Sequence, residues 1–222
     1  MMKTRKLYIK YSVIFYFLFF FSVTILSIFF SQITPHETLY DYKSTVFNLV
    51  YYLPSSIWVA ASALGGLFLF LFLCRIKEIT LNLTNILMFM SMLTIFLVIY
   101  GLPYMIEQNP RFVDSWVHGR TAKTIIDNGY LRPDEFGYHA YPSSFLIFSC
   151  FSLISGIEAT LLLRVLPPIF VFSFFSLFTY LANILLNNPK IAIASTFVFG
   201  LSAYNLFLHF SPAIFGWLLM FL

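Results

Sequence analysis

Of 13 basic and 9 acidic residues in the chain, nine lie between Tyr104 and Pro142: Glu107, Arg111, Asp114, Arg120, Lys123, Asp127, Arg132, Asp134 and Glu135. His118 and His139 join them. Ionisable groups gathered in one segment of an apolar chain can bind or react, although a solvated loop carries the same groups. Asp114 and His118 are four residues apart, which on a helix places them one turn from each other. A carboxylate at that spacing from an imidazole can serve as a general base with its orienter. The pair can also ligate a divalent cation such as Mg or Mn, with Asp114 as the metal candidate. A capping carboxylate and a surface imidazole meet the same spacing. Downstream runs Tyr138-His139-Ala140-Tyr141-Pro142-Ser143-Ser144-Phe145, in which Pro142 forces Tyr141 to be extended and suits the first turn of a following helix. Tyr138, His139 and Tyr141 are therefore candidates to hold a sugar or a lipid head, and such rings are also ordinary interface anchors. Arg120, Lys123 and Arg164 are candidates for an anionic phosphate, with snorkelling to headgroups as the alternative. His209, in His209-Phe210-Ser211-Pro212 at the exit of a later apolar run, completes the candidate set.

The elements that position these residues belong to a bilayer. The 222 residues are 60% hydrophobic and 10% charged, with a mean hydropathy of +0.86, whereas soluble domains are about a quarter charged. A soluble enzyme, a nucleic-acid binder and a secreted disulfide scaffold are excluded. So is a disordered tail, because 29 Phe and 14 Tyr are the opposite of a disorder composition. The net charge of +4 reflects basic residues at membrane boundaries, where they orient the chain. Cys74 and Cys150 sit in apolar stretches without metal-type spacing and are expected to be buried thiols.

The fold class is all-α and polytopic. Tyr11 to Phe30 is long enough to cross, and the basic start places the N-terminus in the cytoplasm. Ser44 to Cys74 returns, with Pro54 opening its helical part, and ends at the basic Arg75-Ile76-Lys77-Glu78. Ile79 to Ile106 crosses outward, leaving 104–142 as an external segment. The sequon Asn82-Leu83-Thr84 then lies at the cytoplasmic edge and carries no weight. In the external segment Phe112, Val113, Trp116, Val117, Ile125 and Ile126 recur at mostly helical intervals, predicting an amphipathic helix ending near Gly129. Its apolar face, with Trp116, is expected on the membrane surface, and Asp114 and His118 on the opposite or lateral face. Ser143 to Leu153 is too short to span and reads as interfacial or re-entrant. Val165 to Leu186 and Ile191 to Leu208 span inward and outward, and Ala213 to Leu222 begins a helix that stops in mid-span, as in a fragment or truncated product.

Five features in order resemble a family: Asp114-Ser115-Trp116-Val117-His118, Tyr141-Pro142-Ser143-Ser144-Phe145, Ile154-Ser155-Gly156 and Arg164-Val165-Leu166-Pro167-Pro168, all behind an N-terminal span. The order is similar to the N-terminal part of C-type (GT-C) glycosyltransferases, in the prokaryotic branch akin to protein mannosyltransferases and aminoarabinose transferases. It covers roughly Ile86 to Phe215. The resemblance implies a helical bundle in a prokaryotic plasma membrane and a polyprenyl-phosphate sugar donor. It implies an external acidic residue as base or metal holder, here Asp114, with His118 less regularly matched. It divides the chain into a hairpin, 1–78, and a GT-C-like region, 79–222. A second external acidic site that the family usually has is missing here. Two other classes compete: half of a transporter or flippase, which calls for ionisable groups inside the spans, and a non-catalytic membrane subunit.

Overall fold

The computed structural model describes residues 2–33, 54–74, 79–101, 113–130 and 143–202, and within them every regular element is helical. The helices are α1 (Met2–Ile33), α2 (Ser55–Leu73), α3 (Leu81–Phe96, prolonged by a π-helical turn Leu97–Gly101), α4 (Val113–Asn128), α5 (Ser143–Ser155), α6 (Ala159–Leu186) and α7 (Pro189–Ser202). Three stretches are long and apolar enough to cross a membrane: Ser55–Leu73, Leu81–Gly101 and Pro168–Leu186.

Local chemistry sets the boundaries. Pro54 precedes α2, where its missing N–H is no loss. Thr80 caps α3, its hydroxyl oxygen accepting from the Leu83 N–H at 3.3 Å. Gly129 and Gly156 take positive φ, +72° and +69°, immediately beyond α4 and α5. The α6–α7 turn needs no glycine: Asn187 adopts the left-handed conformation, and Asn188 Oδ1 accepts from the N–H groups of Lys190 at 3.1 Å and Ile191 at 3.2 Å.

The helix α6 departs from the expected start at Val165. It begins at Ala159, so Pro167 and Pro168 fall inside it and not at its entry. Two prolines deprive Leu163 and Arg164 of the amide partners their carbonyls would have. Neighbouring packing holds the segment helical nonetheless. Pro168 lies beside Gly101, and Ser152 closes the preceding turn by donating to the Ile157 carbonyl at 2.7 Å.

The core is aromatic and shared by α2, α3, α6 and α7. Phe96 is fully buried, with ring centroids 4.2 Å from Phe175 and 5.8 Å from Phe197. Phe197 in turn meets Phe68 at 4.4 Å. Tyr100, in the π-helical turn, donates its hydroxyl to the Gly200 carbonyl and ties α3 to α7. Thr179 and Thr196 link α6 to α7 at 3.1 Å, and Ser27 and Ser56 link α1 to α2 at 2.8 Å. Outward faces carry Phe15, Val59, Phe70, Ile184 and Val198, all exposed. Cys74 and Cys150 are exposed too, not buried as expected. Apolar neighbours in sequence do not imply a packed face when the outside of the bundle is apolar as well.

Candidate functional site

The helix α4 runs from Val113 to Asn128, matching the span anticipated from its apolar spacing. Its orientation differs from expectation. His118, Gly119, Thr121, Ala122 and Ile125 form the buried stripe, and His118 is only 3% exposed. The imidazole is thus on the packed face and not on a free one. Gly119 and Ala122 are small enough to let α5 and α6, which both contact α4, approach closely. The Ser149 hydroxyl of α5 crosses the seam, its one hydrogen shared between the carbonyls of Ala122 at 3.1 Å and Phe145 at 2.8 Å. Thr121 hides its own hydroxyl on the Val117 carbonyl at 2.9 Å. These hydroxyls let a face of modest apolarity be buried without orphaned polar groups.

Against this seam His118 meets Phe145, ring centroids 5.4 Å apart and inclined at 49°. Phe145 is itself 1% exposed. This imidazole–phenyl contact, with the Ser149 hydrogen bond to Ala122, joins two segments that are 27 residues apart in the chain. Asp114 occupies the first turn of α4, four residues before His118, and its side chain lies outside the described residues.

Arg120 and Lys123 are not on the His118 face of α4. Arg120 and Lys123 are exposed on the outer side of α4, and Lys123 pairs with Asp127 at 3.4 Å, both side chains 58% exposed. An exposed pair of this kind contributes at most about 0.5 kcal/mol. Its order, lysine before aspartate, runs against the helix dipole. Arg164 lies in α6, its side chain outside the described residues, as are Tyr138, His139, Tyr141 and His209 entirely. Among the described residues no three His, Cys, Asp or Glu side chains converge on a metal position, so the divalent-cation expectation stays with Asp114.

Two polar side chains within the apolar helices carry no charge, so a reading of the spans by ionisable groups does not single them out. Asn85 of α3 and Asn183 of α6 each bury a side-chain oxygen with no hydrogen-bond partner among the described residues. An asparagine inside an apolar run was the available signal.

Comparison with known proteins finds no match to this chain, whether among protein-family models, curated proteins or solved structures.

Proposed function

We propose that the chain is a multi-pass membrane glycosyltransferase of the GT-C type, or its N-terminal part, which transfers a sugar from a polyprenyl-phosphate donor to an acceptor outside the cytoplasm. Three helices of crossing length and an outward surface of phenylalanine, valine and isoleucine support the membrane setting. One observation supports the rest: His118 and Phe145, which belong to two of the sequence features behind the resemblance, are in ring contact.

In this reading the acceptor hydroxyl oxygen bonds to the anomeric carbon of the donor sugar as the bond from that carbon to the phosphate oxygen breaks. The polyprenyl phosphate leaves with the bonding electrons, and Asp114 takes the hydroxyl proton. A divalent cation, held at Asp114, would supply shielding of the phosphate charge. His118, wedged under Phe145, fixes the first half of α4 against α5 and so holds Asp114 in place. Arg164 of α6 is the candidate to offset the charge of the leaving phosphate.

The test uses the native membrane product purified in detergent, supplied with a labelled polyprenyl-phosphate sugar, and counts polyprenyl phosphate released. Asp114→Asn is expected to lower turnover about a hundredfold or more, the range of a lost general base. Unchanged turnover in that variant removes Asp114 from the reaction, and the absence of release from the unaltered protein rejects the transferase reading.

A further inference from the structure

A groove of about 350 Å³ opens between α3, α6 and α7 near the Asn187 end of α6. Its walls include Ile86, Phe89, Met90 and Ile193, with Asn85 and Asn183 on facing helices. Both asparagines bury an amide oxygen that accepts from nothing described, a costly arrangement in apolar surroundings unless a donor arrives. Among the described residues that line it are the hydroxyls of Ser176, Thr179 and Tyr180, but no Asp, Glu, Lys, Arg or His. Whatever fits it is recognised by hydrogen-bond donors and apolar surface, not by charge. Rotation of an amide about χ2 is soft, so either oxygen can turn toward the opening.

The groove lies beside the Asn187-Asn188-Pro189 turn, at the end of the crossing stretch Pro168–Leu186, which is headgroup depth in the membrane reading. At about 350 Å³ it takes the upper part of one lipid molecule. We propose that this groove binds a glycerophospholipid whose headgroup carries hydrogen-bond donors, with Asn85 and Asn183 as acceptors and the apolar wall receiving the start of an acyl chain. The proposal rests on the membrane reading above but not on glycosyl transfer.

The purified full chain, exchanged into mixed micelles holding equal amounts of phosphatidylethanolamine, phosphatidylglycerol and phosphatidylcholine, is analysed for co-purifying lipid. Ethanolamine and glycerol headgroups offer donors and choline offers none. Each of the first two is expected to be retained about fivefold over phosphatidylcholine, the selectivity of roughly one net hydrogen bond. Asn85→Leu and Asn183→Leu should abolish the preference without loss of helix content, since neither amide has a described partner to lose. Equal retention of all three lipids overturns the proposal. So does a preference for phosphatidylglycerol alone, which means charge recognition, or a preference unaffected by both variants. A dimer that forms only when both asparagines are intact assigns the groove to a second copy instead. Alkaline carbonate extraction separates the two levels: a chain stripped from membranes by carbonate defeats the membrane reading itself, while a chain that stays and shows no lipid preference defeats only the lipid site.

Discussion

Gly200 is the position at which a single methyl group should do most damage. It lies in α7 where that helix passes Phe96 of α3, and a Cβ added there overlaps Phe96 Cζ and falls 2.7 Å from Cε2 and 2.8 Å from Cε1. The ring cannot swing aside, because Phe175 stands at 4.2 Å and Phe197 at 5.8 Å between centroids. The Gly200 carbonyl also accepts the Tyr100 hydroxyl, so any retreat of α7 strains that bond as well. Overpacking of this severity costs about 3 kcal/mol, and displacement of the hydrogen bond about 1 kcal/mol. Replacing a helical glycine by alanine returns about 1 kcal/mol. Gly200→Ala is therefore expected to destabilise by about 3 kcal/mol, a fall of about 6–12 °C in Tm for a chain of this size. Gly66 of α2 is the internal control: nothing lies within 4 Å of an added Cβ, so Gly66→Ala should gain about 1 kcal/mol and raise Tm by about 2–4 °C. Near-ultraviolet circular dichroism melts in one detergent would measure both. A cycle with Phe96→Leu adds the mechanism, since shortening the ring should relieve at least about 1.5 kcal/mol of the Gly200→Ala cost. If Gly200→Ala melts with Gly66→Ala, or costs as much with Leu at position 96 as with Phe, the close approach of α3 and α7 is refuted.

Tyr100→Phe should cost about 1 kcal/mol, seen as a fall of about 2–4 °C in Tm, because it removes the donor to Gly200 and little else; an unchanged melt would mean that the hydroxyl does not bridge α3 and α7. Thr179→Val and Thr196→Val should couple by about 0.6 kcal/mol in a double-mutant cycle, the average strength of interhelical hydrogen bonds in membranes, and additivity of the two costs would deny the contact. His118→Gln should lose the ring contact with Phe145, worth about 0.5–1.5 kcal/mol, yet cut sugar transfer at least about tenfold at a temperature where the variant is fully folded. Transfer that tracks the folded fraction alone would leave His118 as packing only. Arg164→Ala is expected to raise the KM for the polyprenyl-phosphate donor about tenfold or more, whereas Lys123→Ala should shift neither KM nor stability beyond about 0.5 kcal/mol; equal effects of the two would contradict the placement of Lys123 on the far side of α4.

The helix ends were legible because they are written in residues with few alternatives. Pro54, Gly129, Gly156 and the Asn187-Asn188-Pro189 turn each satisfy a specific backbone need, and boundaries of α2, α4, α5 and α6 follow from them, whereas the Thr80 cap of α3 is seen only in the structure. The start of α6 was less legible for the same reason inverted. Pro167 and Pro168 are strong signals for a helix entry, but burial of Ala159, Leu162 and Leu166 in the core overrides a local preference of that size. The face of α4 was misread on different grounds. Large apolar residues suggest which side of a helix is buried only when the alternative is water, and in an apolar setting the tightest contacts go to small residues. Gly119, Ala122 and the bonded hydroxyls of Thr121 and Ser149 decide the seam, and none of them stands out in a hydrophobic pattern. Asn85 and Asn183 escaped because amides carry no charge, although burying an amide oxygen without a partner is nearly as informative.

The corrected face of α4 also narrows the chemistry. With 3.6 residues per turn, Arg120 and Lys123 lie about 200° and 140° round the helix from His118. No rotation of α4 that keeps His118 against Phe145 brings either cation to the same side. A phosphate near His118 must then be met from another element, and α6 is in contact with α4 and carries Arg164. The same geometry bars a substrate from reaching His118 across the flank of α4, since the stripe from His118 to Ile125 is covered by α5 and α6. The first turn of α4, which holds Asp114, precedes that covered stripe in the chain, and a helix N-terminus in general favours an anion. On the transferase reading, proton transfer is thus the role proposed for Asp114 in the first turn of α4, and positioning is the role proposed for His118, buried one turn behind it.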